Sequence, residues 1–301
     1  NKVMKYKGEL ARYWEYDNAG NPTRFVSNYG DVAQSGFGGV IVENRMLGEM
    51  YLRQPYRGNG SYSEGKPDIN AGPVDGMIRT ESDMAWVKAM IADGYKFNGV
   101  TKVAKDQLWY GDLIYADANG DGNYGDTNDM NFTGTSTQPR YNFGLNLSVA
   151  YKGFDFYMLW AGSAGFDLYW NHSSYNGTRT ENGFGISQRV ADNHYFYNPE
   201  NPSDSRTNIT AKYPRITDQT QRDNGTSSVF WKYKGDYVKL KNIQIGYTIP
   251  VKWTRKFMVE KLRFYFSGEN LLTITSYPGL DPEMGTSITY PLTRQFAFGA
   301  Q

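Results

Sequence analysis

Residues 141–152 alternate with a period of two, and that pattern admits a strand and little else. Tyr141, Phe143, Leu145, Leu147, Val149 and Tyr151 fall on one face, while Asn142, Gly144, Asn146, Ser148 and Ala150 fall on the other. Successive side chains of a strand point to opposite sides, so the segment builds one apolar and one polar surface. Lys152-Gly153 supplies a tight turn, and residues 154–162 return with Phe154, Phe156, Met158 and Trp160 on one face. Such a hairpin also occurs in soluble proteins. Its length matches a membrane-crossing strand, with aromatics at both ends where interfacial girdles belong.

A second strand–turn–strand unit spans residues 235–283. Leu262, Phe264 and Phe266 alternate with Arg263, Tyr265 and Ser267, again giving one apolar face and one polar face. In the preceding run, Val238 and Leu240 share one parity, whereas Ile243, Ile245, Tyr247 and Ile249 share the other. A one-residue phase slip near Lys241-Asn242 predicts a β-bulge. On periodicity alone an ordinary sandwich pair would fit as well.

Composition narrows the field. The chain has 301 residues and a net charge of +1, which gives no electrostatic footprint for nucleic acid. It has no cysteine, hence no disulfide framework or thiolate metal site. No run approaches the length of a transmembrane helix. A mean hydropathy of −0.65 is still compatible with a membrane barrel, whose strands need apolar residues only at alternate positions. Asn1–Lys7 carries no secretion signal, so the expectation is a processed or internal segment. No nucleophile motif, P-loop or dinucleotide fingerprint is present, and the reading is not an enzyme.

Along the chain, a strand is expected before the polar turn at residues 17–22, and strands at 39–43 and 49–53. Thr80 and Asp83 form a capping-box start for one helix, with Met84, Val87, Met90 and Ile91 as its apolar stripe and Gly94 as its stop. Residues 163–228 and 272–294 read as long connections, in contrast to the short turn at 152–153. His172 and His194 lie in the first of these and read as surface residues.

The sharpest chemical motif is the Asp/Asn-rich loop of residues 111–129. Asp117, Asn119 and Asp121 stand at the first, third and fifth positions of a calcium loop, with Gly122 at the sharp turn and Asn123 offering a backbone carbonyl. The bidentate acid expected at the twelfth position is replaced by Asn128, flanked by Asp126 and Asp129. Two readings stand, a structural Ca2+ site using Asp117, Asn119, Asp121, Asn123, Asp126 and Asp129 or a loop of Asx turns that only looks like one, and a catalytic metal is disfavoured because no His or general base accompanies the loop.

Three stretches carry a family resemblance. Residues 237–250, YVKLKNIQIGYTIP, resemble the YvRLKNIqLGYtlP signature of SusC/RagA-type TonB-dependent outer-membrane transporters. Residues 267–283, SGENLLTITSYPGLDPE, are similar to that family's next signature, and residues 111–122 to its GDikY.DvNGDG segment. The resemblance implies an all-β chain: residues 1–301 as the C-terminal part of a large plugged antiparallel transmembrane β-barrel, with long extracellular loops and one short helix. Such barrels have about 22 strands and this chain supplies about eight to ten, so it is not expected to close one alone. The plug and TonB-contacting segment have no counterpart here, and a final aromatic residue is expected beyond Gln301.

The resemblance further implies import of nutrient oligosaccharides or peptides across a Bacteroidetes-type outer membrane. The implied partners are a SusD-type surface lipoprotein as lid, TonB and outer-membrane lipid, with no nucleic acid. Tyr169, Trp170, Tyr175 and Trp231 are the candidate substrate-stacking aromatics, though each also reads as a girdle or packing residue. The alternative is a soluble, calcium-stabilised glycan-binding β-sandwich.

Overall fold

The computed structural model describes residues 12–27, 45–46, 48–170, 186–217, 224–286 and 292–301. In chain order these contain β1 (Arg12–Tyr16), β2 (Pro22–Ser27), β3 (Glu49–Leu52), α1 (Glu81–Ala92), β4 (Lys96–Phe97), β5 (Asn123–Tyr124) and β6 (Asn131–Ser136). There follow β7 (Tyr141–Tyr151), β8 (Phe154–Ala164), β9 (Asp167–Tyr169), α2 (Gln188–Ala191), β10 (Lys232–Lys234) and β11 (Tyr237–Thr248). The last are α3 (Val251–Thr254), β12 (Arg263–Thr275) and β13 (Gln295–Ala300). Strands dominate, and no described helix is long and apolar enough to cross a membrane. The chain forms two compact units, one from Asn1–Thr135 with Trp170–Lys232 and the other from Ser136–Tyr169 with Tyr233–Gln301.

The first unit is held by an aromatic core around α1. Thr80 caps the helix as the sequence predicts: its hydroxyl accepts from the Asp83 N–H at 3.1 Å, and the Asp83 carboxylate accepts from the Thr80 N–H at 2.9 Å. Met84, Val87 and Met90 are buried, and so is Trp86, which the sequence reading omitted from the stripe. Trp86 stacks on Tyr56 with centroids 4.8 Å apart and meets Phe97 edge-on at 5.9 Å. Gly94 has φ of 98° and donates to Ile91 O at 3.1 Å, the C-terminal stop expected of it. Short ladders pair β1 with β2, β3 with β6 and β4 with β5. The predicted strand at 39–43 lies outside the described residues.

The second unit is a five-stranded sheet in the order β13-β12-β11-β8-β7, antiparallel throughout. Lys152 and Gly153 join β7 to β8 with φ of 46° and 91°, the left-handed pair a two-residue hairpin turn requires. Both ladders of β11 shift register between Leu240 and Asn242, where the sequence predicts the bulge. The extra residue turns the phase slip into continuity. Val149, Phe156, Ile245, Phe266 and Phe298 form one row across all five strands, and Leu145, Trp160, Leu240 and Leu272 a second across four. Without the bulge, Leu240 and Ile245 would face opposite sides of the sheet.

On the other face, Ser148, Tyr157, Gln244, Ser267 and Ala297 make the matching polar row. Near the β7–β8 turn, Arg263 on β12 reaches over β11 to Asp155 on β8, with Nε 2.9 Å from Oδ1 and Nη2 2.5 Å from Oδ2. The strand beneath is Gly246, where a Cβ would lie 2.5 Å from the guanidinium and 2.6 Å from the carboxylate. Replacing Gly246 with Val is expected to force the pair apart and lower stability by about 1–3 kcal/mol, with Ala costing less. The unfolding midpoint followed by strand circular dichroism measures it. An unchanged midpoint in Gly246→Val would show that the bridge contributes nothing.

Candidate functional site

The two faces of the five-stranded sheet are chemically opposite. On the apolar face Tyr141, Leu145, Ile245, Phe264, Leu272, Phe296 and Phe298 are exposed, Phe298 at 81% and Tyr141 at 67%. Each such side chain left in water forgoes about 2 kcal/mol of burial, so the band calls for an apolar medium or partner. The polar face is knitted by ions. Lys239 is 1% exposed and its Nζ lies 2.5 Å from Asp281 and 2.9 Å from Glu283, while Lys241 pairs with Glu283 at 2.5 Å. These pairs tie the segment after β12 back onto β11. Within the described residues the sheet stays open, with β7 and β13 each paired on one side only.

In the first unit, the Asp/Asn loop is built from side chains that serve backbone donors. Asp117 accepts from the N–H groups of Gly120 and Gly122 at 2.7 and 2.8 Å. Asn119 accepts from the Asp121 N–H, and Asp121 from the Asn123 N–H. Asp126 accepts from the Asn128 N–H at 2.7 Å, and Asn123 donates to Asp126 and accepts from the Gly99 N–H. Asp129, 1% exposed, accepts from Ala118 at 2.6 Å and from Gly125 at 2.7 Å. Calcium needs six to eight oxygens converging on one point. No group of three or more His, Cys, Asp or Glu converges that way among the described residues.

The six candidate ligands form a frame of Asx turns in which their oxygens accept from the loop's own amides. The frame has a rigid job. Tyr124 at its middle packs into the aromatic core beside Phe97 at 5.4 Å, and Arg53 Nε donates to the carbonyls of Gly125 and Asp126. Burial pushes the Asp129 carboxyl up to about 6, and burial likewise raises Asp126.

Three of the four candidate substrate-stacking aromatics are packed into the fold. Tyr169 and Trp170 are 2% exposed and Trp231 is fully buried, so none offers a ring face to a ligand. Trp231 stacks on Tyr213 at 6.1 Å, lies 5.9 Å from Trp170 and donates its indole N–H to Asn224 O at 2.8 Å. They are packing residues, the other reading the sequence left open. Tyr175 and His172 lie outside the described residues. His194 is half-buried at the surface, with Nδ1 2.6 Å from Ala191 O.

Sequence reasoning missed a cavity of about 310 Å³ in the first unit, lined by residues from two stretches about 85 positions or more apart, among them Trp109, Tyr197, Glu200 and Arg215. Only the fold brings them together, and no local motif marks them.

The described strands thus define an antiparallel sheet with one apolar and one polar face. No protein-family model matches the chain. Three curated proteins of Formosa agariphila are similar to it. TonB-dependent receptor P3 is 32% identical over 63% of this chain and 18% of its own length. TonB-dependent receptor P39 is 27% identical over 96% of this chain and 30% of its own length, and TonB-dependent receptor P26 is 28% identical over 60% and 17%. The chain spans under a third of the length of these relatives. Among solved structures, the RagAB peptide importer in its closed-closed state aligns with a TM-score of 0.48 at 20% identity, covering 63% of this chain and 21% of that one. The resemblance to SusC/RagA-type TonB-dependent transporters is borne out by the curated relatives, each of which is a TonB-dependent receptor by name.

The acidic loop yields two expectations. Asp129 binds its proton more tightly folded, near pH 6, than unfolded, near the 3.8 usual for an aspartate. Its contribution to stability is fully present below pH 3.8 and is lost as pH rises to about 6. The unfolding midpoint of Asp129→Asn should therefore fall less across that window than that of the parent; parallel profiles would contradict the assignment. Millimolar calcium should leave the midpoint at pH 7 unchanged, and a rise abolished by Asp117→Ala would restore the metal reading.

Proposed function

We propose that this chain is a sector of the wall of an outer-membrane β-barrel that imports nutrient oligomers by a TonB-dependent mechanism. The observation that carries the reading is the unbroken apolar face across five antiparallel strands, backed by a polar one. A strand of 11 residues such as β7 is about 36 Å long, and at a tilt of about 45° it rises about 25 Å, the height of a barrel's apolar band. The apolar face then meets lipid and the polar face lines the lumen. The open edges of β7 and β13 are completed by further strands, since unpaired backbone groups do not persist in hydrocarbon. Long connections leave one end of the sheet and short ones the other, as in barrels with extracellular loops and periplasmic turns.

On this reading the substrate is an oligosaccharide or a peptide, a SusD-type lipoprotein covers the extracellular mouth and TonB acts through the plug. The receptor names of the curated relatives and the family signatures support it.

Fractionation of the native full-length protein with a heat-modifiability gel tests the reading. Outer-membrane recovery and a heat-dependent mobility shift are expected; a soluble, unshifted protein would favour the glycan-binding sandwich. Within the wall, Leu147→Arg places a charge at mid-depth on the lipid face and is expected to cost about 2–4 kcal/mol. Asn146→Arg, one position along and facing the lumen, should cost far less. Equal effects on assembly would falsify the assignment of faces.

A further inference from the structure

The connection between β11 and β12 is folded but has almost nothing of its own to bury. Its base is clamped to the sheet: the Thr248 N–H donates to Gly153 O at 2.7 Å and the Ile249 N–H to Leu262 O at 2.9 Å. From there α3 runs into a 3-10 turn at Arg255–Phe257, closed by the Met258 N–H on Arg255 O at 3.1 Å and the Val259 N–H on Thr254 O at 3.3 Å. Within residues 251–260 only Thr254 is buried. Val251, Trp253, Phe257, Met258 and Val259 are all exposed, Phe257 at 78% and Met258 at 96%. A turn surrounded by water gains nothing from such a cluster of apolar side chains.

The same segment is basic. Lys252, Arg255, Lys256 and Lys261 stand exposed against a single acid, Glu260. Lys152, in the neighbouring β7–β8 turn, adds another cation, with Nζ 5.1 Å from the centre of the Tyr151 ring. At this end of the apolar face Tyr151, Phe154, Tyr247 and Phe264 make one aromatic row across β7, β8, β11 and β12, with the Phe154 and Tyr247 centroids 4.4 Å apart. From mid-sheet outward the order is therefore aliphatic side chains, aromatic rings, then mixed apolar side chains and cations. A bilayer offers acyl chains, interface and phosphate in the same order. A neutral surface would engage only the apolar side chains, whereas an anionic one also uses the excess positive charge. A protein partner would match the cations but not their continuity with the aromatic row.

We propose that the β11–β12 connection docks on anionic phospholipid headgroups and so fixes the depth of this end of the sheet in the membrane. Trp253 and Phe257 sit among the headgroups, and Lys252, Arg255 and Lys256 pair with their phosphates. The proposal rests on the barrel-wall reading, but barrel formation and lipid preference are measured separately, so the failure of one is distinguishable from the failure of the other.

The test takes the full-length protein, delipidated in a neutral detergent, and titrates it with phosphatidylglycerol or phosphatidylcholine in mixed micelles, counting bound lipid by native mass spectrometry. A heat-modifiability gel on the same samples reports the barrel. The parent is expected to prefer phosphatidylglycerol by at least about tenfold at low salt, since each basic residue at an anionic surface contributes about fivefold. The triple variant Lys252→Gln/Arg255→Gln/Lys256→Gln should lose most of that preference and keep the heat-dependent shift, because all three side chains are exposed. Lys66→Gln/Lys102→Gln/Lys105→Gln removes the same charge from exposed positions of the other unit and should leave the preference in place. A heat-shifted parent with no preference, or a preference that survives in the connection variant, would overturn the proposal and assign the segment to a protein partner. Equal loss in both triple variants would overturn it as an effect of net charge alone. A soluble, unshifted parent would overturn the barrel reading and this proposal with it.

Discussion

The sheet depends on one constraint: a strand's side chains alternate, so an apolar face survives only if every neighbour stays in register with it. Five strands meet that condition here. Rows of apolar residues run from β7 through β8 and β11 to β12 and β13, and polar rows run behind them. The bulge at Leu240/Asn242 is the device that keeps β11 compliant despite its phase slip. A slip of one residue in any strand would move its whole apolar set to the polar side.

The polar face shows how such a sheet handles charge. Arg263–Asp155 spans β11 at the turn end, above the bare backbone of Gly246, and Lys239 holds Asp281 and Glu283 toward the other end. Both use long cations that lie along the sheet and reach an acid on another element. The opposite face has no such partners to offer and carries hydrocarbon instead.

In the first unit, acids do structural work of another kind. The carboxylates of Asp83, Asp117, Asp126 and Asp129 each accept from backbone amides, closing a helix start and a chain of turns. Asp112 differs, being fully buried against Arg215 and Asn224. The same residue spacing that suggests a calcium loop is thus satisfied by the loop's own N–H groups. Spacing fixes which residues are near one another, and only side-chain direction decides whether they face a shared point.

Much of the sheet was legible from sequence. The strands at Tyr141–Tyr151 and Phe154–Ala164, the turn between them, the bulge and the capped helix all rest on interactions within a few residues, where periodicity and turn chemistry are strong. The short hairpin strand β2 was missed because a few residues beginning at proline carry little period-2 signal. Tertiary structure alone decided that β8 pairs with β11 across a long insertion, that Tyr169, Trp170 and Trp231 turn inward, and that Trp109, Tyr197, Glu200 and Arg215 meet around one cavity. Burial and convergence are properties of contacts distant in sequence, and a pattern read along the chain reports only which faces exist, not what each one meets.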